Sequence, residues 1–302
     1  MTAGMPFALR AVALFVMQLK ANHRALNPNR CINRRVVITG LGAVSAIGIG
    51  RDAYWESLKQ GRSGIKKISS FDTTSYPCDV AAEIGDFDPA DFMSVQQARR
   101  IDRFAQLAIA AAKLGIDDAE LKLRPENQSS VGLILGTSLG TLCYLEQQLA
   151  ILNEKGLKRV NPFFSTSVIP SSAATQVMLE LKIKGTCKTI TTACASSTWS
   201  IGESFEAIKF GKSDVMLAGG AEAPITPSVL ASLGAMQLLA QPEGCPASSY
   251  RPFCKDAAGF VLGEGAGILV LEELEHALRR GARIYAEIRG FGSTTDAFHV
   301  MA

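Results

Sequence analysis

The segment Lys188-Thr189-Ile190-Thr191-Thr192-Ala193-Cys194-Ala195-Ser196-Ser197-Thr198-Trp199 decides the fold, because it joins a strand-like run to a helix. The residues before Cys194 are rich in Thr and Ile, which favour β-strands. From residue 196 to residue 210, apolar side chains recur at helical spacing, at Trp199, Ile201, Phe205 and Ile208. The sequence therefore predicts that Cys194 lies at a helix N-terminus.

Cys194 is the candidate nucleophile of the chain. Unpaired N–H groups and the positive end of the helix dipole favour the thiolate at this position, and the thiolate is the reactive form of cysteine. Its small neighbours, Ala193 and Ala195, leave the sulfur accessible. Judged on spacing alone, a buried structural cysteine stays open as the alternative, since a free cysteine behaves as a small hydrophobic residue.

The composition describes a globular protein without a general affinity for nucleic acid. The chain has 302 residues, of which 47% are hydrophobic and 20% are charged, enough for one large core or two smaller ones. Its net charge is +3, but seven basic residues and no acidic one precede Asp52. The rest has 24 basic residues against 28 acidic ones, so nucleic-acid binding is not predicted.

The cysteines and histidines do not form a metal-binding pattern. The seven cysteines are scattered without a C-x-x-C pair, which is typical of a reducing compartment. The three histidines lie at no ligand spacing from a cysteine pair. We therefore predict a cytoplasmic protein without a metal or a cofactor.

Residues 1–33 are predicted to form an extension outside the fold. The apolar run from Phe7 to Leu19 contains Arg10 and is too short to span a bilayer, so no transmembrane segment is predicted. Basic residues without acidic ones are also typical of a transit peptide, which leaves a mitochondrial or plastid location as the alternative.

The remaining chain alternates strand-like and helix-like segments, which predicts an α/β fold with a parallel-rich sheet covered on both faces. The run Gly40-Leu41-Gly42-Ala43-Val44-Ser45 nearly matches a dinucleotide fingerprint, but Ser45 replaces the third glycine. A structural turn is the better interpretation of this run. One long helix is predicted from Ser94 to Leu114.

A second nucleophile motif competes with Cys194. Gly136-Thr137-Ser138-Leu139-Gly140 satisfies the G-x-S-x-G pattern after a buried strand, which is typical of a serine hydrolase with Ser138 as nucleophile. Such an enzyme needs a histidine further along the chain, and only His276 and His299 are available. His276 lies in a charged, exposed helix and His299 lies three residues from the last one, so this hypothesis ranks below the cysteine nucleophile.

Four separate blocks together resemble the β-ketoacyl-acyl-carrier-protein synthases, in particular the elongating type II enzymes: Thr192-Ala193-Cys194-Ala195-Ser196-Ser197, Asp214 to Glu222, Gly259 to Gly267 and Thr295-Asp296-Ala297-Phe298-His299. The resemblance begins near Arg34. It implies an α/β, thiolase-like layered fold, with residues 34–281 as the N-terminal half and residues 282–302 as the first strand of an incomplete C-terminal half.

The resemblance also implies the chemistry and the site residues. Cys194 would carry an acyl thioester and donate its N–H to an oxyanion hole, before decarboxylative condensation with malonyl-carrier protein. Leu139 and Phe164 would line the acyl pocket near a dimer interface. Arg99 and Arg100 would meet the acidic acyl-carrier protein. Under this interpretation Ser138 is no nucleophile and belongs to a pocket loop.

Some family residues are missing from these 302 residues. The two histidine blocks that stabilise the enolate in the family are absent, and His299 matches a different block, so the resemblance implies acyl transfer without support for condensation. Cys254, Ala257 and Ala258 replace charged residues of the family. We therefore expect either a homodimer or pairing with a chain that supplies the missing half. A non-catalytic partner similar to a chain-length factor is the alternative, although such partners usually lack the cysteine.

Overall fold

Strands form the centre of the molecule. The computed structural model describes residues 34–240 and 244–298. This part of the chain contains the strands β1 (Val36–Ser45), β2 (Gly48–Ile49), β3 (Lys66–Lys67), β4 (Val80–Ala82), β5 (Val131–Gly136), β6 (Cys187–Ile190), β7 (Val215–Glu222), β8 (Leu262–Gly263), β9 (Gly265–Glu273) and β10 (Ala286–Ile288). The N-terminal extension and His299 lie outside the described residues.

Helices connect these strands. Within the described ranges they are α1 (Arg51–Lys59), α2 (Val95–Ala98), α3 (Arg103–Asp118), α4 (Leu142–Lys155), α5 (Phe164–Ser167), α6 (Ser172–Leu181), α7 (Ser196–Lys209), α8 (Pro227–Ala235) and α9 (Leu274–Arg279). Since β6 ends at Ile190 and α7 begins at Ser196, the predicted joint between strand and helix is confirmed.

The main sheet has the order β10-β1-β9-β7-β5-β6, with β2 beside β1, and a small second sheet has the order β3-β4-β8. In the main sheet β5 is parallel to β6 and β7, whereas β9 is antiparallel to both β1 and β7. The prediction of a parallel-rich sheet was therefore wrong. Alternation of strands and helices does not fix strand direction, and β9 enters the sheet at the end where β7 leaves it.

Helices cover both faces of the main sheet. Leu217 of β7 points to the face that α3 and α6 cover, whereas its neighbours Met216 and Ala218 point to the face that α7 covers. Leu217, Met216 and Ala218 are all fully buried, so the helices on both faces shield this strand from solvent. The layered α/β arrangement expected from the resemblance is confirmed.

Close helix packing explains the glycines of β1. The strand continues through Gly40 and Gly42, so the turn predicted there was wrong. A Cβ atom on Gly40 would lie 2.3 Å from the carbonyl oxygen of Gly115, and one on Gly42 would lie 1.9 Å from that of Ala111. Both carbonyls belong to α3, so these glycines allow the helix to touch the strand backbone.

Asp102 divides the helix that the sequence predicts as one. Helix α2 ends at Ala98, and α3 begins at Arg103 after Asp102, whose carboxylate accepts a hydrogen bond from the N–H of Phe104 at 3.3 Å. The same carboxylate accepts from the N–H of Tyr144 in α4, at 3.1 Å. Asp102 is only 4% exposed, and it therefore caps one helix while tying it to another.

A buried ion cluster holds the end of the sheet where β9 finishes. Glu272 is fully buried and accepts hydrogen bonds from Thr39 Oγ1 at 2.5 Å, His276 Nδ1 at 2.6 Å and Arg280 Nε at 2.9 Å. Burial alone would raise the pKa of Glu272, but these hydrogen bonds and the charge of Arg280 outweigh it and lower the pKa to about 2. The carboxylate thus joins β9 to β1 and α9.

The last described residues belong to the same body. Strand β10 pairs antiparallel with β1 at the edge of the main sheet, and the ring of Phe291 packs edge-on against Trp199 of α7, with ring centroids 5.5 Å apart. Tyr285 donates to Ile38 through its backbone N–H at 2.8 Å. The division of the chain at residue 281 stays a prediction.

Candidate active site

A sharp turn presents Cys194 to solvent between β6 and α7. Ala193 has a φ angle of 50°, in the left-handed region, and the N–H of Ala195 donates to the carbonyl of Thr192 at 3.1 Å. The next N–H, of Ser196, donates to the carbonyl of Ala193, also at 3.1 Å. The Cys194 residue is exposed, so the buried structural cysteine that the spacing left open does not describe it.

Ser196 locks this turn in place. Its side chain is 2% exposed, and its Oγ accepts from the N–H of Thr192 at 2.8 Å. The same hydroxyl lies 2.6 Å from the carbonyl oxygen of Ala193 and 3.1 Å from that of Thr137, to either of which it can donate. Ser196 therefore links the cysteine turn to the loop that follows β5.

Two glycines bring the first turn of α7 onto the ends of the strands. A Cβ atom on Gly136, at the end of β5, would lie 2.3 Å from the carbonyl carbon of Ser196. One on Gly220, in β7, would lie 2.0 Å from the side-chain oxygen of Ser197. Any larger residue at these positions would push the helix start, and Cys194 with it, away from the sheet.

An open cleft of about 980 Å³ extends from Cys194 across the ends of β1, β7 and β9. Its walls are mostly apolar or glycine backbone, contributed by Val44, Trp55, Leu58, Gly220, Ala221, Gly265, Ala266, Gly267, Ile268 and Leu269 among others. Ser138 and Glu222 line it beside the cysteine, and Arg51 and Tyr285 line it as well. A thiol at the lip of an apolar cleft suits covalent attachment of a hydrocarbon-bearing group.

Only one of the three histidines lies in the described residues, and it is far from the cysteine turn in the fold. His276 belongs to the Glu272 cluster, at the opposite end of β9 from the cleft. Ser138 therefore has no histidine beside it in the described part of the cleft. Its own N–H donates to Glu222 at 2.5 Å, so the loop is held in place by the carboxylate. This geometry gives no support to the serine hydrolase.

Comparison with known families identifies the family of the chain. The model of the family described as "Beta-ketoacyl synthase, N-terminal domain" matches residues 33–277. The chain belongs to this family.

Curated synthases from two bacteria are similar to this chain over most of its length. The 3-oxoacyl-[acyl-carrier-protein] synthase 2 of Synechocystis sp. is 41% identical over 269 residues, and that of Staphylococcus aureus (strain COL) is 43% identical over 270 residues. Each alignment covers 89% of this chain and 65% of the relative. This chain therefore spans about 65% of the length of these relatives.

Solved ketosynthases share the fold. A beta-ketoacyl synthase from Burkholderia phymatum superposes with a TM-score of 0.79 at 33% identity, covering 89% of this chain and 66% of the other. The ishigamide ketosynthase/chain length factor gives a TM-score of 0.79 at 35% identity, covering 88% and 65%. The thiolase-like fold implied by the resemblance is confirmed by these structures.

The structure brings only part of the expected site together. Cys194 lines the cleft, but Leu139 and Phe164 do not. Leu139 is 44% exposed, and the ring of Phe164 stacks on Tyr144 with centroids 6.3 Å apart. Leu139 nevertheless directly follows Ser138, which does line the cleft. The loop therefore faces the cleft at Ser138 and the outer surface at Leu139.

The two arginines expected to dock a carrier protein are accessible. Arg99 and Arg100 are both exposed and follow α2. The guanidinium carbon of Arg100 lies 5.6 Å from the ring centroid of Phe163, the residue before Phe164. A basic surface therefore lies next to the Asn161–Phe164 segment, which agrees with the expectation without testing it.

Sequence reasoning missed Glu222, Ser196 and Asp102. Glu222 ends a buried strand directly after Gly-Gly-Ala, and a carboxylate at the end of a buried strand is a signal that the sequence did offer. The sequence offered a weaker signal for Ser196 and Asp102, because serine and aspartate are common at the start of many helices.

Within residues 34–240 and 244–298, no cluster of His, Cys, Asp and Glu is arranged to hold a metal ion. No helix in this part of the chain is long and apolar enough to cross a membrane.

Proposed function

We propose that Cys194 takes an acyl group from an acyl-carrier protein and holds it as a thioester. The observation that carries this proposal is the exposed cysteine at the lip of an apolar cleft of about 980 Å³. The family supports it, since the curated relatives are 3-oxoacyl-[acyl-carrier-protein] synthases.

The thiolate of Cys194 attacks the carbonyl carbon of the carrier thioester and forms a tetrahedral oxyanion. The carbon–sulfur bond to the carrier then breaks, the carrier leaves as its thiolate, and the acyl group stays on Cys194. We assign the N–H of Cys194 as one donor to the oxyanion. This N–H is held in place because Ser196 fixes the turn: the Oγ of Ser196 accepts a hydrogen bond from the N–H of Thr192 at 2.8 Å.

Condensation with malonyl-carrier protein makes a further demand on the site. Loss of carbon dioxide leaves an enolate, which needs a hydrogen-bond donor or a cation beside it. Among the described residues that line the cleft, the only basic side chain is Arg51, which is already bonded to Asp52, Asp118 and Tyr285. Acyl loading is the reaction that we propose for the described residues, and condensation needs the two histidine blocks of the family, which these 302 residues lack.

The partners follow from the same reasoning. Arg99 and Arg100 are proposed to dock the acidic carrier protein, and Leu139 and Phe164 to line the acyl pocket once a second copy covers them. Strand β6 lies at the open edge of the main sheet, which supports association of two copies or pairing with a chain that supplies the missing half. A cytoplasmic location stays a prediction from the cysteine pattern.

The test is intact-protein mass spectrometry after incubation with an octanoyl-carrier protein. We expect one octanoyl adduct on the wild-type chain and none on Cys194→Ala. Cys187→Ala is the matched control, because Cys187 is a second exposed cysteine seven positions earlier, and this variant should load as the wild type does.

The outcomes separate the competing functions. If the wild-type chain forms no adduct, the proposal fails and a non-catalytic partner, similar to a chain-length factor, becomes the better interpretation. Adding malonyl-carrier protein to the loaded chain should give no 3-oxoacyl product. Product formed by these residues alone would contradict the statement that condensation needs further groups.

A further inference from the structure

The carboxylate of Glu222 accepts hydrogen bonds from four successive residues of the loop Gly136–Gly140. Its Oε2 accepts from the backbone N–H of Ser138 at 2.5 Å and of Leu139 at 3.2 Å. Its Oε1 accepts from the N–H of Gly140 and from Thr137 Oγ1, both at 3.1 Å. Three successive amides therefore point at one carboxylate, and hydrogen bonds to an ionised acceptor are the strong class.

The same loop is bonded to the cysteine turn from its other side. The N–H of Thr137 donates to the carbonyl of Ile190, the last residue of β6, at 3.0 Å. The carbonyl of Thr137 lies 3.1 Å from the hydroxyl of Ser196, which also accepts from the N–H of Thr192 at 2.8 Å. A continuous set of hydrogen bonds thus runs from Glu222 through Thr137 and Ser196 to the turn that carries the nucleophile.

Glu222 is not itself placed to react, because its oxygens already accept these bonds. It lines the cleft beside Cys194, Thr137 and Ser138, and it ends strand β7, which is rigidly paired with β5 and β9 on its two sides. The bonds to Ile190 and Ser196 hold the loop at Thr137, whereas Glu222 holds its far side, where Gly140 has a φ angle of 60° and Leu139 is 44% exposed.

We propose that Glu222 is the positioning residue that fixes the Gly136–Gly140 loop as one wall of the acyl site. This inference rests on the proposed function, in which Cys194 carries the acyl group. A fixed wall lets a long chain lie in a preformed cleft beside the thiolate, whereas a mobile loop would have to be ordered each time a chain binds.

Glu222→Gln is the sharpest variant, because it keeps the shape of the side chain. A glutamine offers one acceptor oxygen, and its NH₂ group would face amide donors that it cannot bond. Glu146→Gln is the matched control. Glu146 also accepts two hydrogen bonds, from Thr226 Oγ1 at 2.6 Å and from the hydroxyl of Ser228, but none from the loop.

The first measurement is amide hydrogen exchange of the whole chain, read at residues 138–140. In Glu222→Gln exchange of these amides should become about tenfold faster or more, while in Glu146→Gln it stays at the wild-type rate. Unchanged exchange at residues 138–140 in Glu222→Gln would overturn the proposal, because the carboxylate would then not hold the loop.

The second measurement compares two alkylating reagents on Cys194, iodoacetamide and N-octyl-iodoacetamide. Both react with the same thiolate, so the ratio of their rates reports only on how the octyl chain is bound. The wild type should prefer the octyl reagent, and Glu222→Gln should lower that preference about fivefold or more, with Glu146→Gln unchanged. A purely structural role would slow or speed both reagents alike.

The results distinguish this inference from the proposed function. Equal preference in the wild type and in Glu222→Gln, or no octyl preference in the wild type, overturns the role of Glu222 as a wall of the acyl site. A wild-type chain that prefers the octyl reagent but takes no acyl group from the carrier protein instead overturns the proposed function, while the result for Glu222 stands.

Discussion

Each end of the β7–β9 pair carries a glutamate, fully buried at Glu272 and half-buried at Glu222, and the two carboxylates have different partners. At one end, Glu272 is paired across the sheet with Val215 and receives hydrogen bonds from Arg280 and His276. At the other end, Glu222 is paired with Gly265 and receives hydrogen bonds only from amides and a hydroxyl. Arg280 balances the charge of the first carboxylate, and backbone N–H groups hold the second.

The difference shows how one sheet separates stability from function. The hydrogen bonds of Glu272 connect β9 to β1 through Thr39 and to α9 through His276, and all three are regular elements of the core. The amides at Glu222 belong to a loop beside the cysteine, so its carboxylate shapes a cleft without bringing a positive charge to it. We expect changes at the Glu272 end to alter the free energy of unfolding, and changes at the Glu222 end to alter reactivity.

The largest effect is expected from Glu272→Ala. The change removes a fully buried acceptor that receives hydrogen bonds from Thr39, His276 and Arg280, and it leaves the buried hydroxyl of Thr39 without this partner, so the free energy of unfolding should fall by about 3–5 kcal/mol. Urea unfolding followed by circular dichroism measures it. Glu275→Ala, on an exposed position of the same helix, should change stability by no more than about 0.5 kcal/mol. Equal stability of the two variants would contradict the structural role of the cluster.

Acid is the second way to break the cluster. The native pKa of Glu272 is about 2, below its ordinary value of 4.5, so its ionised form is stabilised in the folded state. This contribution is complete above pH 4.5 and is lost as the pH falls toward 2, by about 3 kcal/mol in all. The urea midpoint of unfolding is measured at pH values from about 5 to about 2, in steps of roughly one unit. As the pH falls, the midpoint should decrease more steeply for the wild type than for Glu272→Gln. Parallel curves would show that another carboxylate governs acid unfolding.

Helix α7, which follows Cys194, offers a test of intermediate size. A Cβ atom on Gly202 of α7 would lie 2.2 Å from Cδ2 of Phe291, so Gly202→Ala should destabilise the chain by about 1–3 kcal/mol. In a Phe291→Ala background the same change should be neutral or stabilising, since alanine favours a helix by about 1 kcal/mol over glycine. Thermal unfolding of the four proteins completes the cycle. An identical cost in both backgrounds would mean that residue 291 does not pack on α7.

Asp102→Asn is expected to have the smallest effect. Burial raises the pKa of Asp102 to about 6, against the hydrogen bonds from the amides of Tyr144, Phe104 and Arg103, with the Glu222 carboxylate raising it further. Its folded state therefore favours the protonated form, and its contribution to stability is greatest below pH 3.8 and declines as the pH rises to 6, opposite in sign to that of Glu272.

Asparagine keeps an acceptor for the N–H of Phe104 but loses the one for the N–H of Tyr144, while it also removes a buried charge at pH 7. These two effects oppose each other, so Asp102→Asn should change stability by less than about 1 kcal/mol at pH 7. The decline between pH 4 and pH 6 should disappear in this variant, as measured by urea midpoints across roughly that range. A decline that persists in Asp102→Asn would assign the titration to a different group.

Part of the site could be predicted from local sequence and part could not. The joint at Cys194 was readable because strand and helix patterns meet within a few residues, and local propensity decides both. The glycines Gly40 and Gly42 led to the wrong prediction of a turn, because two nearby glycines in a sequence do not distinguish a turn from a strand that packs closely on a helix. The break at Asp102 was hidden for a related reason, since aspartate caps a helix only where the chain turns.

By itself, the sequence determined where a strand meets a helix, which cysteine lies at that joint and which family the motifs resemble, because these depend on residues close together in the chain. Only the tertiary structure decided that the sheet is mixed, that Arg280 balances the charge of Glu272 and that Glu222 holds the loop beside the cysteine. Those pairings join residues distant in sequence, and their energies depend on burial and on the direction of individual hydrogen bonds, which no local pattern specifies.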